Sequence, residues 1–428
     1  MSLSLDAGIV TQSRLTSLLD TARRYAISAS GPLAISGAHF LASLLFVRNL
    51  PAAGFGLFSF VLVIVPFAMS LTASLLVVPV TRSLGEEAAA RAMVLAHCLK
   101  MNMALTLVTA LAVFGLLTGA HAPLLPALLF ALFGGFFTFR WFARCYAFVE
   151  GRVGAAISSD IIYAAILVLG LGALALTARI SLESGALVMM LAALAALVPM
   201  GQEFFDAQFA ALSRGSLRQY GVIFRDLTRW SLLGVMFTEA TVNAHAYLVT
   251  FIAGPGAFAL LALGMLLMRP ASLVQSALPD LERPVMTRQI AARNWTALSR
   301  TAREFGAGLF AVLLATLILD AALLHWFPSL VLKRGYVLED VIVVATLSAL
   351  IMAVRALRTP LAVTLQAAGA FKELAGLGIK SSAISIIATL LLLLAFGPIA
   401  SLGGVLLGEM AILFSCYKLA KDWETRRD

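Results

Sequence analysis

Charged residues are scarce in this sequence. They make up 12% of its 428 residues, whereas hydrophobic residues make up 61%. Soluble proteins carry about a quarter charged residues, which keep their surfaces hydrated. A chain with so little charge cannot cover itself with polar groups, so the composition excludes a soluble protein and predicts that lipid is its solvent.

Cysteine and catalytic motifs are scarce as well. The three cysteines show no paired spacing, which argues against a disulfide or metal framework. The sequence has no phosphate-binding GxxxxGK[ST] motif, and no predicted loop combines a histidine with carboxylates for acid–base chemistry. We therefore expect neither an enzyme nor a bound cofactor, although a membrane glycan polymerase or acyltransferase stays as an alternative. No cleavable signal peptide is expected, because the first apolar run is long enough to span a membrane.

Long apolar runs, by contrast, are abundant. A membrane-spanning helix needs about 20 mostly apolar residues. Twelve stretches of this kind lie at 29–47, 57–79, 93–117, 123–142, 156–177, 184–204, 230–252, 257–278, 305–324, 341–363, 374–396 and 398–417. Transmembrane β-strands would instead show alternating segments of about 10 residues. The runs predict an all-α, multi-pass membrane protein with about twelve transmembrane helices.

The basic residues are distributed unevenly between the predicted loops. If the N-terminus is cytoplasmic, all but four of the 31 Lys and Arg residues lie on the cytoplasmic side. The four exceptions are Arg48, Arg179, Lys333 and Arg334. This positive-inside bias predicts that both termini are cytoplasmic. It also accounts for the net charge of +9 without any nucleic-acid partner.

One connection between predicted spans is long, polar and basic. It covers residues 205–229 and is expected to be a cytoplasmic linker between two six-helix bundles, at 29–204 and 230–417. A cytoplasmic interfacial segment at 1–28 and a cytoplasmic tail at 418–428 complete the predicted organisation.

The two predicted bundles show a weak internal sequence repeat. A shift of 204 residues superimposes Pro51 on Pro255, Leu57 on Leu261, Pro66 on Pro270 and Ala73 on Ala277. Parallel repeats of this kind form a transporter architecture in which the substrate site lies between the halves. Chance alignment of apolar sequence is the alternative.

The predicted span 230–252 carries the clearest polar residues within the membrane. Asn243 follows Glu239 by one helical turn on the same face, whereas His245 is rotated away from that face. An ionisable group inside a membrane is costly and indicates a function by default. We predict that Glu239 takes up a proton or Na⁺, with Asn243 and His245 as further ion-coupling candidates. The alternative is that Glu239 is hydrogen-bonded and only supports packing.

Five arginines lie in or beside predicted spans. Arg140 and Arg144 are spaced i, i+4, Arg269 precedes a proline, and Arg355 and Arg358 are spaced i, i+3. Cations at several depths attract an anionic group, and the planar guanidinium suits phosphate. We predict that Arg269 and Arg355 line a substrate cavity. Arg140 and Arg144 are further cavity candidates. For these two residues, and for Arg358, the alternative is a position at the membrane interface.

The remaining acidic residues are expected to play simpler roles. Five acidic residues near the ends of predicted spans are expected to be mostly ordinary boundary residues, namely Asp160, Glu203, Asp206, Asp280 and Asp320. Glu409 falls within the last span and is expected to be either a cavity residue or a member of an ion pair.

A local pattern adds a family resemblance. In "FVRNLPAAGFGLFSF", Arg48, Leu50, Phe55 and Gly56 match the first outer turn of O-antigen-type polysaccharide flippases, although Pro51 and Ala52 replace the usual Gly-Pro. The stretch "EGRVGAA" at 150–156 is similar to an inner turn of the same proteins. With its predicted six-plus-six layout, the chain resembles polysaccharide flippases of the multidrug/oligosaccharidyl-lipid/polysaccharide (MOP) exporter superfamily.

The resemblance implies a flippase for an oligosaccharide linked to polyprenyl pyrophosphate. It would work by alternating access in the bacterial inner membrane and serve surface or exopolysaccharide biosynthesis, with a glycan polymerase and the export machinery as candidate partners. Arg269 and Arg355 would neutralise the pyrophosphate, Glu239 would couple to an H⁺ or Na⁺ gradient, and Arg48 would lie at the outer mouth of the cavity. Two alternatives stay open, namely a drug or metabolite efflux carrier of the same superfamily and a lipid II flippase, which usually has two further spans.

Overall fold

The computed structural model describes residues 31–328 and 336–427, and all regular structure in these ranges is helical. The main helices are α1 Gly31–Asn49, α2 Ala52–Gly85, α3 Ala88–Gly119, α4 Leu124–Val149, α5 Val153–Leu176, α6 Leu182–Arg214, α7 Arg229–Ile252, α8 Pro255–Leu267, α9 Arg269–Ala291, α10 Trp295–Trp326, α11 Leu338–Ala367, α12 Phe371–Phe396 and α13 Ser401–Arg427. The all-α prediction is confirmed for this part of the chain. The predicted interfacial segment 1–28 and the basic pair Lys333 and Arg334 lie outside the described residues.

Each of the twelve predicted runs coincides with one of these helices or with the pair α8 and α9. Within the described ranges, ten helices are long and apolar enough to cross a membrane, and the bent pair α8–α9 makes an eleventh candidate. Helix α7 has 24 residues, which is long enough to span, but Glu239, Asn243 and His245 make it too polar to qualify by hydropathy. The twelfth predicted span therefore rests on length alone.

Proline interrupts one of the predicted spans. The stretch 257–278 was expected to be a single span, but α8 and α9 meet at an angle of 62°. Pro270 stands within the first two residues of α9 and has no N–H to donate to the turn before it. The bend places Arg269 at the corner between the two helices.

The predicted linker 205–229 is structured. Its first part continues α6, and the short helix Leu217–Ile223 and a π turn at Phe224–Thr228 lead into α7. Lys100 Nζ donates hydrogen bonds to the carbonyl oxygens of Leu212 and Gly215 at 2.8 and 3.1 Å. The Tyr220 hydroxyl donates to the Leu75 carbonyl at 2.6 Å, and burial raises the pKa of this tyrosine. The segment is thus anchored to α2 and α3, and the predicted tail 418–428 likewise continues α13 as far as Arg427.

Two glycine contacts set the closest helix crossings. A Cβ added to Gly56 of α2 would overlap the carbonyl of Pro255 at the start of α8. Gly404 and Gly408 of α13 face α12, where added Cβ atoms would overlap the backbone of Thr389 and the side chain of Ser385. Small residues one turn apart let helices approach closely, which is the usual basis of helix association in lipid.

An aromatic cluster continues the contact between α2 and α8. The ring of Phe60 lies 5.3 Å from that of Tyr247, 5.9 Å from that of Phe251 and 6.3 Å from that of Phe258. We refer to α1–α6 as the N-terminal half and to α7–α13 as the C-terminal half. The two halves therefore contact each other at the ends of α2 and α8 that begin with Ala52 and Pro255.

Candidate functional site

A buried ion cluster joins α4 to α5 in the N-terminal half. Arg140 Nη1 donates to Asp160 Oδ1 at 2.8 Å, and Arg144 Nε donates to Asp160 Oδ2 at 2.7 Å. The side chains of Arg140 and Asp160 are 0% exposed, and that of Arg144 is 8% exposed. We call these three residues the N-terminal triad.

Neighbouring groups close this triad off. Arg140 also donates to Ser159 Oγ at 3.0 Å, and its guanidinium lies 4.8 and 5.2 Å from the rings of Phe137 and Tyr163. The expectation that Asp160 is a boundary residue is wrong, because its side chain turns inwards between the two arginines. In this structure Arg140 and Arg144 face a carboxylate rather than an open cavity, and their role in binding a substrate stays a prediction.

A second cluster joins α11 to α13 in the C-terminal half. Arg355 Nε donates to Glu409 Oε1 at 2.7 Å, and Arg358 Nε lies 3.3 Å from Glu409 Oε2. The side chain of Glu409 is 1% exposed, whereas those of Arg355 and Arg358 are 20% and 25% exposed. We call these residues the C-terminal triad, which is more open than the N-terminal one.

Both triads place two arginines, one helical turn apart, on a single carboxylate. The arginine pairs are visible in the sequence as i, i+4 and i, i+3 spacings. Their partners are not, since Asp160 lies 20 residues beyond Arg140 and Glu409 lies 54 residues beyond Arg355. Each triad carries one positive charge more than its carboxylate neutralises.

Arg269 lies at the junction of the two halves. It lines a small cavity of about 50 Å³ together with Ser43 of α1, Ser59 of α2 and apolar residues of α8. Its buried Nε has no hydrogen-bond partner, and no carboxylate among the described residues forms an ion pair with it. Arg269 is thus an uncompensated cation against a cavity wall.

The carboxylate of Glu239 is held by its own helix. Asn243 Nδ2 donates to Glu239 Oε2 at 3.0 Å, and the Tyr247 hydroxyl donates to Oε1 at 3.3 Å. Glu239 and Tyr247 line a cavity of about 270 Å³ between α2, α3 and α7, whose other lining residues are mostly apolar. Sequence reasoning missed Tyr247, although its spacing of eight residues from Glu239 places it on the same face.

The structure separates His245 from this group. His245 is 3% exposed, its ring lies 6.4 Å from that of Phe258, and neither ring nitrogen has a hydrogen-bond partner. Glu239 and Asn243 are therefore brought together as the spacing indicates, and His245 lies on a different face of α7.

Two further residues lie towards helix ends. Arg48 is exposed near the end of α1, and the described residues offer it no ion-pair partner. Asp320 of α10 is only 7% exposed, and its Oδ2 has no hydrogen-bond partner. Asp320 lies near the end of α10, as expected, but its side chain is buried.

The interior chemistry is that of a site that attracts ions. Three groups carry uncompensated positive charge, namely the N-terminal triad, the C-terminal triad and Arg269. Glu239 carries a carboxylate without a cationic partner among the described residues. Such an arrangement can hold an anion at the arginines and a cation or a proton at Glu239.

Comparison of the sequence with family models and with curated proteins finds no match. Comparison of the fold with solved structures finds several. A multidrug resistance MATE family transporter of the MOP superfamily, in an inward-facing conformation, superimposes with a TM-score of 0.74 at 14% identity, over 94% of this chain and 98% of that one.

Two other structures are informative. The lipid II flippase MurJ in an inward closed conformation gives a TM-score of 0.64 at 12% identity, over 92% of this chain and 87% of that one. An outward-facing MATE family transporter of the MOP superfamily gives 0.61 at 11% identity, over 94% of each chain. These similarities show that the chain shares the multi-pass membrane fold of these two transporters and this flippase.

Proposed function

We propose that this protein is a flippase that moves an oligosaccharide linked to polyprenyl pyrophosphate across the bacterial inner membrane. The observation that carries the proposal is the uncompensated positive charge of the interior, at Arg269 and at the two triads. An anionic headgroup crossing a membrane must be neutralised, because unpaired charge in a low-dielectric layer is costly. Interior cations supply that neutralisation.

In this proposal Arg269 and Arg355 contact the pyrophosphate. Arg269 has an unbonded, buried Nε against the cavity between the halves, and Arg355 keeps a fifth of its side chain exposed. Arginine is suited to phosphate because its fork donates two parallel hydrogen bonds. Arg48, exposed near the end of α1, is proposed to meet the departing headgroup at the outer mouth.

The transport mechanism proposed is alternating access between two six-helix bundles, with both termini in the cytoplasm. Two observations support it. The halves touch where α2 and α8 begin, which the charge distribution predicts to be the outer side. The TM-score is also higher against the inward-facing MATE structure, at 0.74, than against the outward-facing one, at 0.61. Both agree with an outer end that is closed in this conformation.

Glu239 is proposed to couple transport to an H⁺ or Na⁺ gradient. Its carboxylate accepts hydrogen bonds from Asn243 and Tyr247 and faces a cavity. Burial of a carboxylate without a cationic partner favours uptake of a proton or metal cation. Asn243 and Tyr247 would hold the carboxylate in place in both ion-bound and ion-free states.

A second candidate function is ion-coupled efflux of drugs or metabolites. The observation that favours it is the cavity of about 270 Å³ beside Glu239, because an apolar cavity with one carboxylate suits a hydrophobic cation. In this case Glu239 would bind the cargo itself. The positively charged interior outside α7 favours the flippase.

Deletion of the gene tests the proposal directly. We expect lipid-linked oligosaccharide to accumulate and surface polysaccharide to be lost, and complementation with the Arg269→Ala variant to fail at normal protein level. Arg288→Ala, which removes an exposed arginine from the same helix, is the matched control and should complement. Full complementation by Arg269→Ala removes this residue from the mechanism. Unchanged polysaccharide together with increased drug sensitivity of the deletion strain favours efflux.

A further inference from the structure

We propose that Arg355 and Arg358 form a two-arginine seat for a diphosphate group and that Glu409 is its positioning residue. This inference rests on the proposed function and deepens it by assigning Arg358 and Glu409. The seat is the C-terminal triad, in which Glu409 lies behind the arginines and does not itself touch the ligand.

The orientation of the guanidinium groups carries the argument. Arg355 Nε donates a hydrogen bond to Glu409 Oε1 at 2.7 Å, whereas Arg358 Nε lies 3.3 Å from Glu409 Oε2 as an ion pair without a hydrogen bond. The terminal Nη groups of both residues form no hydrogen bond to any other group in the described chain. A guanidinium has five N–H donors in a fixed fork, so binding through Nε leaves its outer edge free for a second anion. Glu409 thereby orients Arg355 through a hydrogen bond and holds Arg358 beside it through an ion pair.

Exposure separates this triad from the N-terminal one. In the C-terminal triad the carboxylate is 1% exposed while the arginines are 20% and 25% exposed. In the N-terminal triad the arginines are 0% and 8% exposed, and aromatic rings cover Arg140. Because charged groups are not left facing hydrocarbon, the open edges of Arg355 and Arg358 mark a polar approach. The same chemical arrangement is therefore closed in one half and accessible in the other.

The spacing selects the ligand class. Residues i and i+3 of a helix have Cβ atoms about 5–6 Å apart, so the two forks can each take one phosphate of a diphosphate. A monophosphate can satisfy one fork fully and the other only in part. The seat should thus prefer a diphosphate over a monophosphate with the same lipid tail.

Binding to the purified full-length protein in lipid nanodiscs tests this proposal. The probes are farnesyl diphosphate and farnesyl monophosphate, and the readout is the ratio of their dissociation constants. We expect the wild type to prefer the diphosphate by about tenfold or more, since each additional bidentate contact contributes on that scale. Glu409→Gln should bring the preference to about threefold or less, because a neutral amide loses the ion pair with Arg358 and the charge-assisted hydrogen bond from Arg355.

The charge of Glu409 makes the outcome decisive. Glu409→Gln leaves both arginines in place and makes the seat more positive, so a simple electrostatic attraction would bind both probes more tightly, with an unchanged or larger preference for the more highly charged diphosphate. That result overturns the positioning role, and a wild type without any preference overturns the seat. Glu304→Gln is the matched control, since Glu304 pairs with Arg300 at 2.7 Å on an exposed surface, and it should leave the ratio unchanged.

Two further arms complete the experiment. If Glu409→Gln does not fold, Arg358→Lys takes its place. This variant keeps the charge and the carboxylate but removes the guanidinium fork, so its preference for the diphosphate should fall in the same way. An unchanged preference overturns the seat. Inorganic pyrophosphate should displace farnesyl diphosphate only in large excess, whereas displacement at equal concentration assigns the seat to a free anion and overturns the lipid-borne ligand. A confirmed preference in a protein whose deletion leaves lipid-linked oligosaccharide unchanged would overturn the proposed function and keep the seat.

Discussion

Two arginines share one carboxylate in each triad, and the energetic consequence differs with burial. A buried ion pair is weak evidence for stability as a whole, because desolvation offsets the attraction. Removing one partner is nevertheless costly, because the remaining charge stays buried and unpaired. The N-terminal triad is the more buried of the two, so its carboxylate should matter most for folding.

Asp160→Asn should therefore destabilise the protein strongly. The substitution leaves Arg140 and Arg144 as buried neighbouring cations, at a cost of about 3–5 kcal/mol. The measurement is the melting temperature and the yield of monodisperse protein in detergent. Asp206→Asn is the control, because Asp206 is exposed on α6. An Asp160→Asn protein that melts with the wild type would contradict the role assigned to this triad.

Glu239→Gln should abolish the response of the protein to its coupling ion. The amide keeps the size of the side chain and a hydrogen bond to Asn243 or Tyr247, but it removes the charge that a proton or Na⁺ would neutralise. A ligand that binds the native state raises its melting temperature. We expect the wild-type melting temperature to rise with Na⁺ or with acidification, and the variant to show neither shift. Glu183→Gln, at an exposed site, is the control and should show the same shifts in melting temperature as the wild type. If Glu239→Gln also shows these shifts, Glu239 has only a packing role.

The residues of these sites were predictable to different degrees. Asn243 could be placed beside Glu239 because helical periodicity links residues four positions apart. Asp160 and Glu409 could not be assigned as partners of the arginines, because contacts between helices leave no periodic signal in a single sequence. The burial of Asp320 was missed for the same reason, since the end of a run does not reveal which face is covered.

At the scale of the helices, proline and glycine explain where the predicted spans changed. Pro270 turns the predicted span 257–278 into the bent pair α8 and α9. One residue pair of the weak internal sequence repeat, Pro51 and Pro255, occupies similar positions in the structure. Helix α2 begins directly after Pro51, and α8 begins at Pro255. The sequence could not reveal that these two helix starts touch, because that contact depends on how the halves are arranged.

Gly56→Ala should open the contact between α2 and α8. The added methyl group would overlap the carbonyl of Pro255, and a backbone carbonyl cannot move aside as a flexible side chain can. We expect longer distances between spin labels at the start of α2 and in the turn before α8, attached at Ala52→Cys and Ala253→Cys in a background without native cysteines. Gly54→Ala is the matched control, because its methyl group would meet Leu50 only at an ordinary distance of 3.5 Å. Equal label distances in both variants would contradict a gate at Gly56.

At the scale of the molecule, the contact between the halves bears on the proposed alternating-access mechanism. The halves meet through α2 and α8, and the Phe60 cluster extends this contact from the helix starts towards Arg269, which lines the cavity beneath. A carrier that alternates between two openings must break this contact once in each cycle. The all-helical, multi-pass character of the chain was predictable from apolar runs, but the contact between α2 and α8 could be learned only from the structure.

A disulfide across the closed end should therefore stop transport whatever the cargo is. Cβ atoms added at position 256 would lie 3.9 Å from the backbone nitrogen of Ala53, which is close enough for a cross-link between Ala53→Cys and Gly256→Cys. In a background without native cysteines, oxidation should abolish polysaccharide export or efflux, and reduction should restore it, because the locked ends prevent the outward-open state. Each single-cysteine variant should transport normally under both conditions. Undiminished transport by a fully cross-linked protein would show that the contact between α2 and α8 stays closed throughout the cycle. Cargo would then have to leave by a path that does not pass between these helices.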